Sequence, residues 1–154
     1  MKKTRVLMVC LGNICRSPTA EAMLRREAQR AGLGDRVEVD SAGTAAYHVG
    51  SPPDRRSVIH GERRGLEMRH LRGRQVAAAD FDRFDFILAM DEHNLADLMD
   101  IRPSGSRATV ALLMSFAPEA GASIVPDPYN GGPAEFEVVL DLVEQAAAGF
   151  VKTL

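Results

Sequence analysis

The stretch from residue 4 to residue 18, TRVLMVCLGNICRSP, decides the fold. Its first part, Thr4 to Val9, is a nearly unbroken run of apolar and β-branched residues, which is typical of a strand buried in a parallel sheet. A turn of small residues follows, and then Ser17 and Pro18 form a typical helix start, with a hydroxyl N-cap before a proline. The pattern therefore predicts a strand, a tight loop and a helix, which together begin a βα unit.

Further strand and helix patterns alternate along the rest of the chain. We predict strands over 36–41, 84–90 and 108–114, and helices over 18–30, 54–64, 92–99 and 134–154. Asp54 and Asp91 are expected to cap two of these helices. Strands that alternate with helices form a parallel sheet that carries helices on both faces. The sequence therefore predicts a single doubly wound α/β domain over residues 1–154.

Composition and charge exclude several classes of protein. The chain has 19 Lys and Arg against 21 Asp and Glu, and this balance gives no bulk attraction to nucleic acid or to an anionic membrane. No apolar run approaches the length of a membrane span, and the basic start does not lead into a signal peptide. The only cysteines, Cys10 and Cys15, lie in one loop with no His nearby, so neither a disulfide scaffold nor a structural zinc site is expected. We expect a cytoplasmic protein without a metal.

The loop after the first strand has the composition of an anion-binding site. Ligands of doubly wound folds bind beyond the carboxyl ends of the strands. Here Gly12 and Asn13 tolerate positive φ and can turn backbone N–H groups inward, just before the N-terminus of a helix. Arg16 can hold two phosphate oxygens at once. Cys10 lies at the base of the same loop, where a positive field favours the thiolate.

A second segment, VPDPYNGG at 125–132, offers a proton donor. A thiolate that attacks phosphorus needs a partner to protonate the departing oxygen, and two prolines hold the backbone around Asp127. Each motif alone has a plain alternative, because a Cys at a strand end is usually a core residue and Pro-Asp-Pro is ordinary turn chemistry. Together they indicate Cys10 as nucleophile, Arg16 as phosphate ligand and Asp127 as general acid.

Residues 9–18 and 127–129 closely resemble the low-molecular-weight protein tyrosine phosphatases, and the likeness extends to DSAGT at 40–44 and FILAMD at 86–91. The resemblance implies a four-stranded parallel sheet and a two-step reaction without a cofactor, in which a cysteinyl-phosphate forms on Cys10 and is then hydrolysed. Asp127 would act first as acid and then as base. The implied partner is a phosphotyrosine-containing protein, with a tyrosine kinase as one candidate, and a monomer is expected.

The resemblance also implies roles for residues around the nucleophile. Aromatic side chains of Tyr47 and Tyr129 would enclose a phenyl ring, although an ordinary surface aromatic is the alternative for Tyr47. Ser17 would hydrogen-bond to the sulfur. The residues expected to bind phosphate or to form the pocket mouth are Leu11, Gly12, Asn13, Ile14, Cys15, Ser17, Tyr47 and Tyr129.

Two supporting roles and one redox role follow from the same resemblance. Ser41 and His70 are expected to support the phosphate loop, with His70 bracing Asn13. Counting forward from Gly65 places His70 at that position. Counting back from RQV at 74–76 places Leu71 there instead and leaves His70 as a surface histidine. Cys15 would form a reversible disulfide with Cys10 on oxidation, with an inert buried thiol as the alternative.

Three other functions require residues that differ from those of this chain. Arsenate reductases share the fold and the loop but need further cysteines, and the chain has none after Cys15. Phosphoarginine phosphatases carry Thr where Ile14 stands, so Ile14 favours phosphotyrosine. A phosphate-binding module without activity would lack the nucleophile or the acid, whereas Cys10 and Asp127 are both present.

Overall fold

The computed structural model describes residues 2–154, and a four-stranded parallel sheet lies at its centre. The strands are β1 (Thr4–Cys10), β2 (Val37–Gly43), β3 (Phe86–Ala89) and β4 (Thr109–Leu112), in the order β2-β1-β3-β4. β1 pairs in parallel with β2 on one side and with β3 on the other. The chain leaves β1 for one side of the sheet and later returns to its other side, so the carboxyl end of β1 lies at a topological switch point.

Helices cover both faces of this sheet, as predicted. They are α1 (Arg16–Arg30), α2 (Arg55–Glu62), α3 (Asp80–Arg83), α4 (Glu92–Ile101) and α5 (Pro133–Val151), with 3-10 turns at Leu113–Phe116 and Pro118–Ala120. Val6 and Met8 of β1 pack into a core with residues of α1 and α5, whereas Leu7 and Val9 pack into a second core with residues of α3 and α4. Because both faces of β1 are buried, its sequence is apolar throughout rather than alternating.

Two of the predicted helix caps are confirmed. The Asp54 carboxylate accepts a hydrogen bond from the Arg56 amide at 2.8 Å at the start of α2. The Asp91 carboxylate accepts one from the Asn94 amide at 2.8 Å at the start of α4. Each cap satisfies an amide that the helix itself leaves without an acceptor.

The predicted cap of α1 is wrong. The helix begins at Arg16 rather than at Pro18, its N-cap position is Cys15, and no side chain caps it. The Ser17 hydroxyl lies in the first turn and faces the sulfur of Cys10. The free amides at this end of α1 therefore remain available to a ligand.

The last helix is amphipathic. Its inward-facing residues are all buried, namely Phe136, Val139, Leu140, Val143 and Phe150. They pack α5 against α1 and hold the carboxyl end of the chain over the sheet. None of the helices within residues 2–154 combines the length and hydropathy that a bilayer crossing demands.

Candidate active site

The loop between β1 and α1 is held in an unusual conformation by Asn13. Its φ of 58° is the only positive value at a non-glycine residue within 2–154. The prediction of positive φ was wrong for Gly12, where the absence of a side chain serves packing instead. A Cβ on Gly12 would lie 3.0 Å from Cδ2 of His48, so a larger residue would displace this ring from the loop.

Two hydrogen-bond donors approach the sulfur of Cys10. The Asn13 amide donates to Sγ at 3.3 Å, and the Ser17 Oγ lies 3.0 Å from Sγ. The Ser17 oxygen accepts a hydrogen bond from Asn13 Nδ2 at 2.8 Å. Its own proton can go to the sulfur at 3.0 Å or to the Ala42 carbonyl at 3.4 Å, and the sulfur is the nearer acceptor. These donors and the N-terminus of α1 stabilise negative charge on Sγ.

The Asn13 side chain joins the loop to two other segments. Besides Ser17, its Nδ2 donates to Ser41 Oγ at 3.0 Å, and its Oδ1 accepts from the Arg74 amide at 3.0 Å. Ser41 in turn donates to the carboxylate of Glu21 at 2.7 Å. Every polar atom of the buried Asn13 amide group is thereby satisfied, which fixes the loop in one conformation.

The predicted bracing of Asn13 by His70 is wrong. His70 is exposed and lies in a surface cleft beside Ala22 and Gln29 of α1. A backbone amide, that of Arg74, occupies the position in which a histidine was expected. The Arg74 guanidinium is anchored by two hydrogen bonds of 3.0 Å to Asp80, so the segment that supplies this amide is itself fixed.

Arg16 is buried and oriented by Asp91. Its Nη1 donates to Asp91 Oδ2 at 2.6 Å and to the Val125 carbonyl at 3.1 Å. Burial alone would raise the pKa of Asp91, but the hydrogen bonds from Arg16 and from the Asn94 amide outweigh burial and lower it below its ordinary value. Asp91 is therefore a carboxylate at neutral pH and holds Nη1. The Nε and Nη2 side of Arg16 is left for two oxygens of an anion.

Several loop amides are also available to an anion. Within the part of the chain that the structure describes, no atom accepts a hydrogen bond from the amides of Gly12, Ile14 or Cys15. These residues precede the first turn of α1 and line the base of the cleft. Free N–H groups before the N-terminus of a helix favour the binding of phosphate or another anion.

Cys15 differs from Cys10 in its electrostatic surroundings. Burial and the nearby Asp54 carboxylate raise the pKa of Cys15 to about 12. Cys15 is therefore a neutral thiol at physiological pH, and it lines the cleft without competing as a nucleophile. Both cysteines are free in this structure, and the disulfide between them stays a prediction.

The loop forms the base of a cleft of about 230 Å³. Asp127 lies at its rim with a half-exposed side chain, and its Oδ2 is 3.8 Å from Arg16 Nη2. Tyr47 and Tyr129 form two exposed walls of the cleft, and their contact with a substrate ring stays a prediction. His48, which sequence reasoning missed, also faces the cleft, and its only signal was its place beside Tyr47 in a long loop. The lining residues are Cys10, Leu11, Gly12, Ile14, Cys15, Arg16, Tyr47, His48, Asp127 and Tyr129.

Fold and cleft together define a class of anion-binding α/β proteins that carry a thiol at the base of the first loop. The family model described as low molecular weight phosphotyrosine protein phosphatase matches residues 5–154. The chain belongs to this family, and it is accordingly a hydrolase of the protein tyrosine phosphatase class.

Individual relatives agree with this assignment over nearly their whole length. The low molecular weight phosphotyrosine protein phosphatase of Schizosaccharomyces pombe is 43% identical over 155 residues, which cover 99% of this chain and 98% of the relative. A crystal structure of the protein tyrosine phosphatase from Entamoeba histolytica with Hepes in the active site superposes with a TM-score of 0.94 at 37% identity, covering 98% of this chain and 96% of that one. A Drosophila arginine phosphatase superposes with a TM-score of 0.90 at 34% identity, covering 99% and 97%.

Proposed function

We propose that this chain hydrolyses phosphotyrosine through a covalent phosphoenzyme on Cys10. The observation that carries the proposal is that Asp127 lines the same cleft as Cys10 and Arg16, although it lies far from them along the chain. The sulfur has hydrogen-bond donors, the guanidinium is fixed by Asp91, and the Asp127 carboxyl group lies 3.8 Å from that guanidinium. A nucleophile, an anion ligand and a proton donor are what a phosphate ester requires.

In the first step the phosphate dianion enters the row of loop amides, and its oxygens accept hydrogen bonds from them and from Arg16. The Cys10 thiolate attacks phosphorus, so that a sulfur–phosphorus bond forms while the bond to the tyrosyl oxygen breaks. Asp127 gives its proton to that oxygen, which leaves as a neutral phenol. The amides and Arg16 stabilise the charge on the transferring group because they are already oriented.

In the second step water attacks the phosphorus of the cysteinyl-phosphate. The Asp127 carboxylate takes a proton from this water, the sulfur–phosphorus bond breaks, and inorganic phosphate is released. The sulfur leaves as a thiolate, which the Ser17 hydroxyl and the Asn13 amide stabilise. Asp127 ends the cycle protonated, ready for the next substrate.

The walls of the cleft support phosphotyrosine rather than phosphoarginine as substrate. Leu11, Ile14, Tyr47 and Tyr129 present apolar and aromatic surface to whatever carries the phosphate. A phenyl ring gains from contact with this surface, whereas a guanidinium group would lose hydration without finding an acceptor on Ile14. Because the chain is similar in structure to an arginine phosphatase, phosphoarginine is the alternative substrate against which the specificity has to be tested.

Parallel turnover of phosphotyrosine and phosphoarginine peptides tests the proposed specificity. We expect kcat/KM of the wild type to favour phosphotyrosine by about 10–100-fold, a discrimination that one apolar contact surface can supply. Ile14→Thr should narrow this ratio, and Val138→Thr, an exposed position on α5, should leave it unchanged. Equal turnover of both peptides by the wild type would contradict the specificity. A tyrosine kinase as physiological substrate and a monomeric state both stay predictions.

A further inference from the structure

The segment that carries the general acid has few anchors of its own. We call residues 126–131 the acid loop. Just before it, the Val125 amide donates to the Met90 carbonyl at 2.8 Å, and just after it, the Gly132 amide donates to Glu135 at the start of α5. Within the acid loop, the Tyr129 amide donates to Asp127 Oδ1 at 3.1 Å. These bonds shape the acid loop, but they do not connect its middle to the loop between β1 and α1, residues 11–15, which we call the phosphate-binding loop.

Arg56 supplies that tie. Its Nη2 donates to the Tyr129 carbonyl at 3.0 Å, and its Nη1 lies 3.4 Å from the Gly131 carbonyl. Among residues 2–154, Arg56 is the only residue outside the acid loop whose side chain is hydrogen-bonded to the backbone of 126–131. Its guanidinium also lies 4.6 Å from the ring centroid of Phe136 and 5.6 Å from that of Tyr129. Planar contact with two rings and two carbonyls restrains the direction in which Arg56 can point.

The other end of this connection is the phosphate-binding loop. Arg56 makes two hydrogen bonds of 3.1 Å to the Asp54 carboxylate, and the Asp54 amide donates to the Ile14 carbonyl at 2.8 Å. Burial alone would raise the pKa of Asp54, but the bonds from Arg56 lower it below its ordinary value, so the pair is ionic at neutral pH. A chain of direct contacts thus runs from Ile14 through Asp54 and Arg56 to the acid loop.

We propose that Arg56 is a positioning residue for proton transfer, because it fixes the acid loop over the phosphate-binding loop and thereby sets the reach of Asp127 toward the leaving oxygen. The inference rests on the proposed function, in which Asp127 is the acid. Arg56 does not line the cleft itself, and its donors are occupied by Asp54 and the two carbonyls. It therefore acts through Asp127 rather than on the substrate.

Dependence on the leaving group separates this role from a general structural one. A general acid contributes most when the departing oxygen is basic, as is the phenolate of tyrosine with a pKa of about 10. An aryl phosphate whose leaving group is already a stable anion, such as dinitrophenyl phosphate, needs no proton. Displacing a catalytic group by about 1 Å costs on the order of 100-fold in rate. Loss of Arg56 should therefore slow only reactions that need the proton.

The experiment compares kcat/KM for phenyl phosphate and dinitrophenyl phosphate in the wild type, in four single variants and in one double variant. We expect Arg56→Ala to lower the value for phenyl phosphate by about 10–100-fold and to leave the value for dinitrophenyl phosphate near wild type. Arg56→Lys keeps a cation beside Asp54 but cannot bond to both carbonyls, so it should show the same pattern more weakly, and it serves if the alanine variant folds poorly. Arg55→Ala is the charge-matched control, because Arg55 is exposed and its side chain makes no hydrogen bond or ion pair to any residue within 2–154.

The fourth variant, Asp127→Asn, separates failure of this inference from failure of the proposed function. If Asp127→Asn leaves the dependence on the leaving group unchanged, Asp127 is not the acid and the proposed function is wrong. If instead Asp127→Asn steepens the dependence on the leaving group while Arg56→Ala lowers kcat/KM for both substrates equally, or for neither, only the positioning role is wrong. When both residues are changed together, the inference expects no loss beyond that of Asp127→Asn, and an additive loss overturns it.

Discussion

At the scale of single residues, the state of the Cys10 sulfur depends on two donors that are close to it for different reasons. The Asn13 amide reaches the sulfur because Asn13 adopts a positive φ. The Ser17 hydroxyl reaches it from the first turn of α1, where the sulfur is a nearer acceptor than the Ala42 carbonyl. Hydrogen bonds to charged groups contribute about 1.5–3 kcal/mol. The reactivity of the thiol is therefore sensitive to single atoms around it.

Removal of the Ser17 hydroxyl tests this sensitivity. We expect Ser17→Ala to lower kcat by about 10–100-fold, because one hydrogen bond to a leaving thiolate is lost. Steady-state kinetics measure this effect. Thr19→Val is the matched control, since the Thr19 hydroxyl bonds to the Cys15 carbonyl and not to the sulfur. An unchanged kcat in Ser17→Ala would show that the hydroxyl does not stabilise the leaving thiolate.

Sequence alone indicated the residues of this site whose chemistry is distinctive. Cys10, Arg16 and Asp127 could be proposed because few residue types can attack, bind or protonate a phosphate ester. All three line one cleft, and their catalytic roles stay predictions. The direction of the Ser17 hydroxyl could not be identified, because a serine before a proline is equally suited to cap a helix. The wrong prediction for His70 has a different origin. Counting from Gly65 and counting back from Arg74 give positions for the bracing residue that differ by one.

At the scale of secondary structure elements, Asp91 links a helix to the site. It caps α4 through the Asn94 amide and holds Arg16 Nη1 through its other oxygen. The cap could be predicted from the local sequence, whereas the bond to Arg16 could not, because it joins residues on two different βα units. The contacts of Arg56 could not be predicted for the same reason, because its carbonyl partners in the acid loop lie far from it along the chain.

Asp91→Asn separates these two roles by their pH dependence, because asparagine also caps helices but carries no charge. The pKa of Asp91 is lowered in the folded state, so its charge stabilises the fold above the ordinary carboxyl value near 3.8 and this stabilisation is lost as the pH falls below it. We expect the variant to be less stable by about 1–3 kcal/mol at neutral pH, and the difference to shrink toward about pH 3. Urea unfolding at several pH values measures it. A difference that stays constant with pH would mean that the lost stability is not electrostatic.

At the scale of the whole molecule, the order of the strands brings the site together. The strand order β2-β1-β3-β4 places the carboxyl ends of β1, β2 and β3 at one edge of the sheet. Cys10 ends β1, and the segments after β2 and β3 supply Tyr47 and Asp91. The alternation of strands and helices predicted this edge, because parallel strands all end on the same side. The position of Asp127 depends instead on contacts of the acid loop with Arg16 and Arg56, and no local pattern predicts such contacts.

Mass spectrometry of acid-quenched enzyme tests the central claim most directly. During turnover of dinitrophenyl phosphate, whose leaving group needs no proton, the account predicts one phosphoryl group on the peptide that contains Cys10. Its amount should be greater in Asp127→Asn, because formation of the phosphoenzyme does not need the acid whereas water attack has lost its base. The adduct and the turnover should both vanish in Cys10→Ser. A phosphoryl group on another residue, or hydrolysis by Cys10→Ser at the rate of the wild type, would contradict the account.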